Sequence, residues 1–148
     1  MKIKATVTVG HGVASGQGQD PRYPQGTLRA QYDYFRRRGL DLTPYFMGTV
    51  NVDIAPYSFE IKQPTYFFEN VDWSDHIPPE NFYFFNVSLQ VDEQRYEGLI
   101  YLPDPATKAD HFQQPTILEL LLPRIHQLSY GRSVLIDVPD NQLTLASR

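Results

Sequence analysis

Cysteine is missing from all 148 residues, which excludes disulfides, thiolate metal ligands and a cysteine nucleophile, and suits a reducing compartment. Charge is also sparse: 20% of residues are charged and the formal net charge is −4, which argues against broad electrostatic binding to nucleic acid. Long apolar runs are lacking, none approaching the roughly 20 residues of a membrane helix. The opening MKIKATVTVG alternates instead of carrying the apolar centre of a signal peptide. A cytoplasmic protein with neither nucleic-acid nor membrane partners is therefore predicted. Paired histidines are missing too. His11, His76, His111 and His126 stand apart, without the i, i+4 or HxH spacing of a zinc site. Ser15 has no nucleophile elbow around it, so a hydrolase has no support.

Aromatic residues and turn formers are abundant, with 10 Tyr, 9 Phe and 12 Pro in a chain that is 41% hydrophobic. That composition fits one strand-rich domain spanning residues 1–148. Alternation predicts an opening strand over residues 2–9, and period two resumes beyond Pro44, where Val50, Val52 and Ile54 share one face and Thr49, Asn51 and Asp53 the other. Further strands are expected over residues 58–61, 65–69, 82–91 and 96–102, the last two joined by a DEQR hairpin, then over 116–122 and finally 133–138. The FYFFNV run at residues 82–87 lacks interleaved basic residues, so it reads as core and not as a base-stacking platform. One clear helix is expected from Leu28, with Thr27 as N-cap, an apolar stripe of Leu28, Tyr32 and Phe35, solvated charges at Arg36, Arg37 and Arg38, and a stop at Gly39. A short helical turn is expected over residues 123–128. The predicted fold is mainly β, a small closed or nearly closed barrel.

Two segments carry possible chemistry. GHGVASGQG, residues 10–18, has the glycine spacing that lets backbone amides wrap an anion. MGTVNVDI, residues 47–54, places the hydroxyl of Thr49 and the amide of Asn51 on one strand face, hard oxygens suited to Mg²⁺. A third signal is Glu119, a lone carboxylate in the apolar run ILELLLP. It either faces solvent or has a partner, since unpaired burial is costly.

The order VxSGxG (Val13, Ser15, Gly16, Gly18), then PYxxGTxNV (Pro44, Tyr45, Gly48, Thr49, Asn51), then LELLLP (Leu118, Glu119, Pro123) resembles archaeal-type CTP-dependent riboflavin kinases, from about Gly12 to Val138. The resemblance implies a six-stranded cradle-loop barrel that makes FMN and CDP from riboflavin and CTP. It implies nucleotide contacts at Ser15, Gly16, Gln17, Gly18 and Gln19, and again at Arg124, Ile125, His126 and Gln127. Magnesium would sit at Thr49 and Asn51, and the flavin would meet Thr107 and Glu119, the latter also a candidate base. The chain departs from the family at Gln19, Asp20 and Pro21, where a Glu-Gly pair is usual, and at Met47, where proline is usual. A noncatalytic flavin- or nucleotide-binding barrel, or an assembly module of the same fold, stays open beside the kinase.

Overall fold

The computed structural model describes residues 1–9, 26–107 and 115–147. In chain order these form β1 (Lys2–Thr8), α1 (Thr27–Arg37), β2 (Val50–Asp53), β3 (Tyr57–Ile61), β4 (Tyr66–Val71), β5 (Glu80–Val91), β6 (Gln94–Pro103), β7 (Ile117–Leu121), β8 (Ser133–Asp137) and β9 (Leu143–Ser147). The protein is mainly β with one helix. Six strands follow one another in a ring, β5-β6-β7-β2-β1-β8 and back to β5, every neighbour antiparallel. Strand β5 closes it because it is long: its second half pairs with β8, while its first half carries β4 outside the ring. The expected hairpin joins β5 to β6 through Asp92 and Glu93, at φ of 50° and 63°, the left-handed pair that a two-residue turn between right-twisted strands requires.

Alternation along each strand sorts the apolar residues into two cores. Val52 and Ile54 point into the ring with Ile3, Ala5, Val7, Phe85, Val87, Ile100, Leu118 and Leu120, all buried. The opposite face supplies Phe82, Phe84, Leu99, Tyr101 and Leu121, which pack under α1. Strand β5 is covered on both faces, which accounts for its unbroken aromatic run. Gly98 of β6 lets that strand close on the end of β7, because a Cβ there would collide with the Leu121 carbonyl oxygen.

Helix α1 is anchored by Leu28 and Phe35, and the Phe35 ring meets Phe68, Phe82 and Phe84 at centroid distances of 5.8, 5.0 and 5.2 Å. The third buried position is Gln31, where the sequence pointed to Tyr32. Tyr32 is only partly covered, its ring flanked by the guanidinium groups of Arg29 and Arg36. Gln31 can be buried because the Tyr101 hydroxyl donates to its Oε1 at 2.7 Å. A Tyr101→Phe variant, which keeps the ring and strands that amide oxygen, is expected to lose about 1–3 kcal/mol in urea denaturation; a loss below about 0.5 kcal/mol would mean the bond adds nothing.

The helix ends differ from expectation at one side only. Its N-cap is Gly26, and Thr27 is the first helical residue and makes no side-chain cap. At the C-terminus Gly39 takes φ of 105° while its amide and that of Leu40 bond to the carbonyls of Arg36 and Phe35, a Schellman closure with Leu40 buried beside Phe35. The arginines that follow the stripe have distinct fates: Arg36 pairs with Asp33 at 3.3 Å, Arg37 lies 5.4 Å from the Tyr34 ring, and Arg38 donates to the carbonyls of Glu69 and Asn70. Those carbonyls sit at a register shift in β4, with Asn70 at φ 53°.

Two expectations near the C-terminus fail. Residues 123–128 form no helix, only a turn at 126–127, because Ile125 and Leu128 pack onto the ring core from an irregular segment. The chain also continues past the strand expected to be its last, into β9, whose buried Leu143 and Leu145 pair with β3 in a separate two-stranded sheet.

Candidate functional site

Thr49, Asn51 and Glu119 meet on the outer face of the ring. Antiparallel pairing sets Asn51 of β2 directly opposite Glu119 of β7, so both side chains leave the sheet on the same side. Thr49, two residues before Asn51, shares that face, and its hydroxyl donates to Glu119 Oε1 at 3.0 Å. All three are half-buried. They stand on that face because their neighbours Val52, Leu118 and Leu120 are committed to the ring interior.

The row extends sideways. Thr8 of β1 lies opposite Asn51, and Tyr101 of β6 opposite Glu119. Burial deepens along it, from half-covered Thr8 to Tyr101 under α1. Burial pushes the Tyr101 phenol well above its ordinary range, and the neighbouring carboxylates Glu119 and Glu80 add to the effect. Tyr101 therefore stays a neutral hydroxyl, and its polar end is turned to Gln31. Glu80 itself is buried and accepts from the Trp73 indole at 2.9 Å. Neither Gln31 nor Tyr101 was singled out by the sequence. The polar residue breaking the buried stripe of α1 was the available signal.

The other expected site residues fall into three groups. Ser15, Gly16, Gln17, Gly18 and Gln19 lie outside the described residues. Arg124 meets the loop that precedes β2: its guanidinium lies 5.1 Å from the Phe46 ring, and the Phe46 amide bonds to the Leu122 carbonyl at 2.9 Å. Ile125 packs on the ring core, and His126 and Gln127 form the turn beyond it. Thr107 stands on the other flank of β6. Its hydroxyl accepts from the Asn81 amide of β5 at 2.9 Å and donates to the Asp104 carbonyl at 3.2 Å, so it holds the turn that follows β6.

A hard cation fits the donor chemistry of the cluster, which offers a hydroxyl, an amide and a carboxylate and no softer atom. Among the described residues no group of three or more His, Asp or Glu could hold a metal ion. Any Mg²⁺ at Thr49 and Asn51 would thus keep much of its water, as that ion prefers. No described helix is long and apolar enough to cross a membrane. No family model matches the chain, and no curated protein matches it.

Proposed function

We propose that this protein is a CTP-dependent riboflavin kinase, its six-strand ring a closed cradle-loop barrel working in the cytoplasm. The observation that carries the reading is the meeting of Thr49, Asn51 and Glu119, two motif segments about seventy residues apart, through one hydrogen bond and one cross-strand pair. In the reaction the ribityl 5′-hydroxyl oxygen of riboflavin attacks the γ-phosphorus of CTP. The bond from that phosphorus to the β,γ-bridging oxygen breaks, CDP leaves, and FMN forms. Magnesium, when bound, would neutralise phosphate charge as it shifts onto the leaving oxygen. Thr49 and Asn51 would hold the ion through their oxygens. Glu119 would orient the attacking hydroxyl and accept its proton, with Thr49 fixing the carboxylate by the bond it already makes. The neutral Tyr101 phenol beside it contributes no competing negative charge.

Riboflavin, Mg²⁺ and either CTP or ATP, incubated with the protein and followed by chromatography, test the reading. FMN and CDP are expected, with CTP preferred. Folded protein that makes no FMN with either nucleotide would sink it. A Glu119→Gln variant keeps the shape and the acceptor for Thr49 but loses the charge, so its affinity for riboflavin is expected to fall by about tenfold. Fluorescence titration measures this, and unchanged affinity would remove the contact.

A noncatalytic barrel that binds flavin or nucleotide is the second reading. It is favoured by Asp20 and Pro21, which stand where the kinases carry a Glu-Gly pair. Pro21 has no amide to offer a phosphate.

A further inference from the structure

Phe46 is an apolar ring at the surface on a backbone held by hydrogen bonds on both sides. Its amide donates to the Leu122 carbonyl at 2.9 Å, its carbonyl accepts from the Gly48 amide at 2.8 Å, and the residue before it is tied back by the bond from the Tyr45 amide to the Leu42 carbonyl at 3.0 Å. Tyr45 and Met47, on either side, turn inward and pack on the core under α1. Phe46 turns outward and remains 40% exposed. The Arg124 guanidinium lies over its ring at 5.1 Å.

The position of the ring gives this exposure a use. Leu122, to which Phe46 is tied, follows Glu119 by three residues, and Thr49 follows Phe46 by three. The ring thus stands at the end of the β2/β7 ladder from which Thr49 reaches Glu119. A protein-docking patch would need several apolar neighbours. Among the described residues, the other large exposed apolar side chains are Met1, Val9, Phe67 and Tyr130, none of them in the segment that carries Phe46. An exposed ring faced by a planar guanidinium suits a flat heterocycle, which stacks on an aromatic face and against arginine whatever its hydrogen-bonding edge.

We propose that Phe46, backed by Arg124, is the stacking platform for a planar ring of a ligand held at Thr49, Asn51 and Glu119. The inference rests on the ligand class of the proposed function and goes beyond it in naming a residue that selects ring shape. The ring belongs either to a pyrimidine base or to an isoalloxazine. Arg124 keeps one side of the Phe46 ring, where its guanidinium already lies, and brings a positive charge beside the platform.

Binding of CDP alone by calorimetry and of riboflavin alone by fluorescence, in the wild type, Phe46→Leu and Phe46→Trp, tests this without requiring turnover. Leucine keeps an apolar side chain and removes the π face. It is expected to weaken one of the two probes by about tenfold and leave the other unchanged, while tryptophan restores or tightens that same probe. Loss confined to CDP assigns the platform to the base, and loss confined to riboflavin assigns it to the flavin. Equal affinities across the three proteins would overturn the platform and leave the kinase reading standing. Phe46-dependent binding without any FMN formation would retain the platform and end the transfer chemistry. A wild type that binds neither probe would overturn both. Unchanged thermal transitions are expected for both variants, because the ring is not part of either core.

Discussion

Replacing Thr49 with Ala and Asn51 with Leu is expected to abolish magnesium-dependent FMN formation, a loss of about a thousandfold or more, while the thermal transition moves only a few degrees. The two halves of this expectation come from the two faces of β2. Val52 and Ile54 hold the strand to the ring interior, are fully buried and are untouched by the change. Thr49 and Asn51 stand on the half-buried outer face, where water can replace the hydroxyl that Glu119 loses. The double variant therefore removes two oxygens and little packing. Chromatography of FMN beside a thermal melt checks both, and turnover at the wild-type level in the variant would remove the metal assignment.

A Phe35→Ala change is expected to cost about 3–5 kcal/mol and to lower the melting temperature by roughly 10 °C or more. Phe35 is completely buried, and its ring is met by aromatic rings from both β4 and β5. Truncation leaves a cavity that three rigid rings cannot collapse into. Helix α1 has 11 residues, too few to persist without docking, so the loss falls on its attachment to the sheet. Gln31 would lose its hold on Tyr101 at the same time, disturbing the floor beside Glu119. Denaturation followed by far-ultraviolet circular dichroism measures the effect, and a shift under about 3 °C would show that Leu28 and the Schellman turn suffice to dock the helix.

What the sequence made legible was local. The alternation of β1 and β2, the hairpin at Asp92 and Glu93, and the stripe of α1 each lie within a few residues of chain, where periodicity reports which side faces the core. Glu119 was visible for the same reason, as one carboxylate in an apolar run. The ring was not fixed by any such pattern, because its closure depends on Ser88, Leu89 and Gln90 pairing with Asp137, Ile136 and Leu135, and on one strand serving two partners. Gln31 read as a neutral break in a stripe until the hydroxyl of Tyr101, seventy residues away, gave it a reason to be buried. Strand β9 was missed because it is short and its apolar residues are only Leu143, Leu145 and Ala146; its pairing with β3 is what makes it a strand. Residues 123–128 carry apolar side chains at helical spacing, yet burial on the ring core was achieved without a helix. For the cluster itself, the sequence supplied the three residues and the fold supplied their adjacency.

Arg38 has a consequence for the behaviour of many copies together. Strand β4 pairs with β5 and, among the described strands, with no other, and it carries the aromatic run Tyr66, Phe67 and Phe68. A strand of that composition with an open side is a template on which a second chain can add itself. Arg38 occupies the carbonyls of Glu69 and Asn70 with its own donors, and the irregularity beside them turns the strand out of regular register. The guanidinium that ends the helix thus also occupies two carbonyls of that strand from within the chain, so they are not open to a strand from another copy.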